Sequence, residues 1–472
     1  MRTKTDLLNI MNYAKPILYG RNSIPFELKQ LTWHANTVIN PSRYESFTVE
    51  KKSGGQRIIH APEPGLRAIQ KVLNLVFQSV FQPHKAATGF TKEKSVVHNA
   101  LVHAGSNYVF NIDLEDFFLS IDQARVWACF QLKPFNLRIL REEEMAVHEK
   151  LYEDSGFFLT DQDEKVYYTV TSAGQVTLHK SRGDYARYRK RFVKLRKADE
   201  DKKKLSRIDH LKIDEDVARH IAKKQKAETG LSRRRLADML ASLCCTSVRV
   251  RRKNKLGKFV KVDRNVLPQG APTSPIISNV VCKRLDFLLT GLAARFGLKY
   301  SRYADDISFS SMHNVYREDG EFRTEMVRII TSQGFLINEK KTRLQKQGYR
   351  QEVTGLVVNS KVNVRSNYVK ELRKWIYYWE EYGFERASIF FERGYKRNKN
   401  QCNQHAPPIE RVIAGKLEFL KMVKGEGDKC YSSLKKRFEV VRSRQGPINE
   451  VLDAWETHGV EKAMELYYTL NR

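Results

Sequence analysis

The chain has 472 residues, with 84 Lys and Arg against 54 Asp and Glu for a net charge of +30 and a pI near 9.8, a balance that suits a polyanionic partner. A hydrophobic fraction of 41% with 11% aromatic residues supports packed cores and excludes wholesale disorder, and at roughly 150 residues per domain the length allows about three globular units. No stretch of about 18 uncharged apolar residues occurs, MRTKTDLLNIMNYAK lacks a signal-peptide core, and the six Cys are sparse, with Cys244 and Cys245 adjacent and no CxxC pair; the expectation is a cytoplasmic protein with no membrane partner.

No internal period marks a repeat architecture. In chain order, FTVEK and RIIHAP are predicted strands flanking a basic turn that contains Gly54 and Gly55, and Arg67 to Phe81 carries apolar residues at helical spacing. NYVFNIDLEDFF is a mostly apolar strand that ends in acid. Composition then changes between about residues 142 and 230, with 18 Lys and Arg against 8 Asp and Glu over residues 180–226. Such a run is usually a solvated helical face, and against this net charge contact with nucleic acid is expected as well.

A core-like pattern resumes at LADMLASL and leads into LPQGAPTSPIISN. LKYSRYADDISFSS is predicted to be a β-hairpin with carboxylates at its tight connection. After Asn359 the pattern is helical through Leu372 to Trp379, GKLEFLKMVKG and SSLKKRFEVV; Gly446-Pro447 interrupts it, and one or two helices close the chain.

The chemistry concentrates in the acids. Two adjacent Asp at a hairpin tip, Asp305 and Asp306, raise each other's pKa by repulsion, and a divalent cation removes that cost. Hard oxygen ligands suit Mg²⁺, which prefers a few carboxylates together with substrate phosphates. Asp113, at the acidic end of its strand, completes the set if the two strands are neighbours. Two ions about 3.5 to 4 Å apart could then serve an in-line phosphoryl displacement.

Tyr303-Ala304-Asp305-Asp306, the upstream Asp113 and the intervening Pro268-Gln269-Gly270 resemble the catalytic motifs of reverse transcriptases. Asn99-Ala100-Leu101-Val102-His103 fits the NAxxH signature and Val353-Thr354-Gly355 the VTG signature, so the resemblance is to the retron type, bacterial enzymes that make a hybrid RNA–DNA molecule from their own non-coding RNA. It covers most of residues 20–440, excluding the basic excursion. The 156 positions from Asp113 to Gln269 are a departure, longer than the family leads one to expect.

The resemblance implies an α/β (α+β) right-hand polymerase. N-terminal helices and fingers would span 1–110, the palm 111–141 and 231–360, a basic insertion 142–230, an RNA-binding helical thumb 361–445 and C-terminal helices 446–472. It makes Asp113, Asp305 and Asp306 the ligands of two Mg²⁺ ions, with a backbone carbonyl from Leu114. Phe118 matches the ring that clashes with a ribose 2′-hydroxyl, although a core aromatic is a strong competitor at that position. Asp116 and Phe117 would offer backbone amides to the dNTP triphosphate, and Arg57, helped by Arg67 or Lys71, would hold it. Gln269 and Gly270 would pack beside the nascent base pair, with Ser274-Pro275 opening the next helix. Asn338 and Lys341 match the motif in which a lysine protonates leaving pyrophosphate.

Asn99 and His103, four apart, are assigned a structural or RNA-positioning role and counted among the nucleic-acid contacts. Val353, Thr354 and Gly355 resemble the primer-grip neighbourhood. In the thumb, Arg373, Lys374, Lys435 and Lys436 are expected on phosphates, while most rings of the Trp375, Tyr377, Tyr378, Trp379 cluster pack inside. Cys402 and His405 lack a second ligand pair and are set aside. The implied partners are a structured non-coding RNA as template and primer, dNTPs, the hybrid product and a toxin or other effector in antiphage defence. Two rivals stay open: another bacterial reverse transcriptase, group II intron-like or defence-associated, and a non-catalytic RNA-binding scaffold with a polymerase fold.

Overall fold

The computed structural model describes residues 3–37, 39–51, 55–137, 156–159, 165–170, 176–179, 232–253, 258–399, 406–443, 451–452, 454–455 and 458–470. The chain opens with α1 (Lys4–Tyr19), α2 (Leu28–Ala35), β1 (Tyr44–Glu50), β2 (Gln56–Pro62), α3 (Pro64–Val80), α4 (Val96–Leu101), β3 (Tyr108–Glu115) and α5 (Gln123–Gln131). There follow β4 (Gly156–Leu159), β5 (Lys165–Val170), β6 (Val176–His179), α6 (residues 232–244), β7 (Thr246–Lys253), β8 (Phe259–Val266), α7 (Ser274–Val281) and α8 (Lys283–Arg295). After these come β9 (Lys299–Tyr303), β10 (Asp306–Ser311), α9 (Glu321–Ser332), β11 (Leu336–Ile337), β12 (Arg343–Lys346), β13 (Glu352–Val353) and β14 (Leu356–Val357). The last helices are α10 (Ser366–Lys399), α11 (Ile409–Lys424), α12 (Lys429–Ser443) and α13 (Val460–Leu470).

These elements gather into two compact units, one from Met1–Phe47, Ile59–Gln82 and Ile121–Ile277, the other from Thr48–Ile58, Pro83–Ser120 and Ser278–Arg472. In the first unit, α1 starts at a capping box in which Thr3 and Asp6 satisfy each other's backbone N–H. Pro64 opens α3, where its missing N–H costs nothing. The helix buries Leu66, Ile69, Leu73 and Phe77, one face at helical spacing, and Phe77 meets the rings of Phe81, Phe130 and Phe135. Arg43 is buried and satisfied by the carbonyls of His34, Ser242 and Cys245 at 2.5, 2.9 and 2.6 Å.

Two features of this unit depart from the sequence expectation. β7 and β8 form an eight-pair antiparallel ladder in a stretch assigned no strand, and β4, β5 and β6 form an antiparallel meander inside the basic insertion. Residues 180–230 and the Cys402–His405 pair lie outside the described residues.

The second unit is built on an antiparallel sheet of order β11-β3-β10-β9, with β12 also paired to β3. Side chains alternate across a sheet, so Phe110, Ile112 and Leu114 share one face with their cross-strand partners Phe309 and Ile307. Rings of Tyr316 and Phe322 pack there on Phe110 and Phe309. The opposite face carries Val109, Asn111 and Asp113 beside Ser310, Ser308 and Asp306. Val109 belongs to a continuous core with Ala100, Val353, Leu356 and residues of α10, α11 and α12, among them Leu372, Trp375, Trp379, Leu417 and Phe438. That core anchors the helical region, whose long α10 is kinked at Gly383 (φ 78°).

Candidate active site

β3 buries Val109, Phe110, Ile112 and Leu114 and is exposed only at Glu115, which is why its run is mostly apolar and its acids stand at one end. In the β3–β10 register Asp113 lies directly opposite Asp306, while the Leu114 amide donates to the Asp305 carbonyl at 3.1 Å. All three acids named from sequence therefore meet at one sheet end. Burial, then repulsion from Asp305 and Asp113, pushes Asp306 up to about 6. Asp305 is raised as well, mainly by burial and against its own backbone hydrogen bond, with Asp113 adding to the rise and Lys341 and Arg57 opposing it.

Lys341 Nζ donates to both Asp113 oxygens at 2.9 and 3.1 Å, and Asn338 Nδ2 adds a bond of 3.2 Å. Among the described residues no three His, Cys, Asp or Glu side chains are closed around a common point. The cationic contact on Asp113 comes instead from Lys341. The donor set is nonetheless that of a hard cation: carboxylate oxygens that repel, with a single ammonium beside them.

The connection between β9 and β10 is held from beneath. Ala304 sits at φ 58°, a left-handed conformation costly to a residue with a Cβ. Arg302, with no exposed surface, donates from Nη1 to the Ala304 carbonyl at 3.0 Å and grips Asp286 through Nε and Nη2, both at 2.7 Å. Asp286 also accepts from Tyr300 at 2.8 Å, and Asn279 Oδ1 accepts from Arg302 at 3.1 Å. Gly89 packs on the same connection: a Cβ there would come within 2.7 Å of the Ala304 nitrogen. Sequence inspection missed Arg302, Asp286 and Asn279; the signal was a lone Asp in the apolar run LDFLL and a lone Arg within a strand.

Residues 193–360 match the reverse transcriptase (RNA-dependent DNA polymerase) family. The chain is 26% identical over 346 residues to the retron Ec86 reverse transcriptase of Escherichia coli, covering 71% of this chain and 70% of that one. It is 28% identical over 353 residues to the retron Mx162 reverse transcriptase of Myxococcus xanthus, covering 72% and 52%. With the retron Mx65 enzyme of that organism the identity is 27%, covering 67% of this chain and 51% of that one. The chain is thus similar to retron-type reverse transcriptases over about 70% of its length. Its enzyme class is accordingly RNA-directed DNA polymerase, and its fold a polymerase fold of mixed helix and sheet. The match spans about half the length of the two Myxococcus relatives. Among solved structures, telomerase from Candida albicans with a fragment of telomeric RNA superposes at a TM-score of 0.36 and 9% identity, covering 91% of this chain and 66% of that one, too loosely to argue from.

The other residues named from the retron-type motifs fall into three groups. Near the acids, Phe117 is buried and its ring stacks on Phe335 at 5.6 Å, while Asp116 is exposed at φ 45° and Phe118 is half-buried. In the first unit, the Gln269 carbonyl accepts from the His60 amide at 2.8 Å, and a Cβ on Gly270 would meet the His60 carbonyl oxygen at 2.8 Å. The close backbone approach that this glycine permits is thus to β2. Ser274 Oγ donates to the Pro268 carbonyl at 2.6 Å, which closes the PQG loop onto α7.

In the third group the nucleic-acid contacts expected of Asn99, His103 and Val353 are corrected, and the structural role also offered for Asn99 and His103 is the one their burial fits. Asn99 and His103 have no exposed surface and cannot touch RNA with their side chains. Asn99 accepts from Thr88 at 2.8 Å, and His103 bridges Ser310 and Ser301 of adjacent strands at 2.8 and 2.7 Å. Val353 is likewise core. Thr354 and Gly355 have φ of 47° and 82° and form the two-residue turn between β13 and β14, a turn whose twist needs two positive φ values. In the helical region Arg373, Lys374 and Lys436 are exposed, whereas Lys435 pairs with Glu439 at 3.6 Å. Trp375 and Trp379 are core, and Tyr377 faces outward.

Proposed function

We propose that the chain copies a structured non-coding RNA into DNA, priming from a ribose 2′-hydroxyl of that RNA, and that the branched RNA–DNA product serves antiphage defence with an effector protein. The observation that carries this reading is the meeting of Asp113, Asp305 and Asp306 at one sheet end in a chain similar to the retron type. No described helix is long and apolar enough to cross a membrane.

Asp113, Asp305 and Asp306, with the Leu114 carbonyl, would hold two Mg²⁺ ions. Bound there, magnesium supplies positive charge for the attacking hydroxyl and the departing pyrophosphate. The primer hydroxyl gives up its proton to solvent as its oxygen bonds to the α-phosphorus of a dNTP and the bond to pyrophosphate breaks, and Lys341 hands the leaving group a proton. Arg57 and the backbone amides at Asp116 and Phe117 hold the triphosphate, and Gln269 and Gly270 abut the new base pair. Phe118 rejects a 2′-hydroxyl by bulk. The Thr354-Gly355 turn supports the primer backbone, and Arg373, Lys374 and Lys436 hold RNA phosphates, with Lys435 released from Glu439 to join them. These roles map fingers and palm onto residues 20–360 and the thumb onto 361–445.

Sequencing the nucleic acid that copurifies with the protein tests this reading. A DNA strand joined by a 2′,5′ branch to one recurring RNA is expected; only linear, unbranched DNA would remove the retron part while leaving the polymerase.

A further inference from the structure

Phe90 stands where two constraints on the chain meet. The segment before it is tied to β9: the Arg302 amide donates to the Ala86 carbonyl at 2.9 Å, and the Thr88 amide donates to the Arg302 carbonyl at 2.8 Å. The buried Asn279 then donates from Nδ2 to the Gly89 carbonyl at 2.8 Å, and Gly89 lies so close to Ala304 that no side chain fits there. With its predecessor pinned, Phe90 adopts φ 59°, a left-handed conformation that is unfavourable for a residue with a Cβ. The strain does not bury the ring, which remains 39% exposed. The ring contacts both Phe118 and Tyr303, at centroid distances of 6.2 and 6.4 Å.

Phe118 also meets Phe117 at 5.2 Å, itself stacked on Phe335. An aromatic gate discriminates only while it cannot swing away from the sugar it must clash with. Phe118 has two aromatic neighbours of this kind, its chain neighbour Phe117 and the distant Phe90. We propose that Phe90 is a positioning residue for sugar selection: its ring braces Phe118 against rotation, so that deoxyribonucleoside triphosphates are accepted and ribonucleoside triphosphates refused. The proposal rests on Phe118 being the gate.

The test measures kcat/KM for single incorporation of dNTP and rNTP by the full chain on a primed RNA template, using Phe118→Ala, Phe90→Ala, Phe90→Gly, Phe90→Tyr and the Phe118→Ala/Phe90→Ala double variant. Glycine tolerates the left-handed φ, so Phe90→Gly removes the ring and the strain together and keeps the test usable if Phe90→Ala fails to fold. Loss of the brace should raise the rNTP-to-dNTP ratio about tenfold, Phe90→Tyr should stay near wild type, and the double variant should go no further than Phe118→Ala alone. If Phe118→Ala relaxes selection while folded Phe90→Gly keeps the wild-type ratio, the brace is wrong and the gate stands. If neither changes the ratio, the gate assignment fails and takes the brace with it.

Discussion

Asp306 lies directly opposite Asp113 in the β3–β10 ladder, so two like charges occupy a cross-strand position where repulsion is felt most. Asp306 has its pKa pushed up to about 6, by burial first and by Asp305 and Asp113 next. A carboxyl whose folded value lies above its unfolded value stabilises the fold when protonated, and that contribution is lost as pH rises through 6. In chelator at pH 7.5, Asp306→Asn should therefore melt later than wild type. The gain should be about 1 kcal/mol or less, because the side chain is partly exposed and screened. Added Mg²⁺ should stabilise wild type and reverse the order; thermal melts with and without the ion check this.

The Arg302–Asp286 pair is buried on both sides, and removing one partner strands the other charge. Asp286→Ala should cost about 3–5 kcal/mol, read from denaturant midpoints. Replacing both with apolar residues, Arg302→Met with Asp286→Leu, should cost less than either single change. That double variant should still incorporate nucleotides slowly, because the Ala304 carbonyl has lost its donor. Full activity in it would show that the connection between β9 and β10 holds itself.

His103 is buried between two serines, and burial, helped by Lys299, brings its pKa down to about 3. The unfolded chain binds a proton near pH 6.5 that the fold refuses. This residue thus costs no stability above pH 6.5 and progressively more as pH falls towards 3, about 2 kcal/mol by pH 5. His103→Gln should flatten the loss of stability between pH 7 and 5, measured as the shift in urea midpoint. An identical pH dependence in the variant would mean that other groups carry the acid sensitivity.

Much of the second unit was legible in sequence because its signals are local. β3 and the β9–β10 hairpin follow from apolar period and turn chemistry, as α3 does in the first unit, and the meeting of Asp113 with Asp306 needed only that the two strands pair. What escaped depends on distant partners. β7 and β8 alternate Val with Arg and Lys, so charge masked their period. Arg302 and Asp286 find each other only once α8 packs on β9. Asn99 and His103 were rightly grouped, but the serines that turn His103 inward lie about 200 positions further on, and spacing alone cannot tell a buried motif from an RNA contact. Gly270 was recognised as a site of close approach, while its neighbour, the β2 backbone, was invisible until the chain folded.

The central claim is that Asp113, Asp305 and Asp306 act together in nucleotide transfer. The most direct measurement is primer extension with Mg²⁺ and dNTPs on an RNA template by Asp305→Asn/Asp306→Asn, alongside RNA binding by the same preparation. The account predicts loss of incorporation with RNA affinity retained; incorporation at the wild-type rate would contradict it.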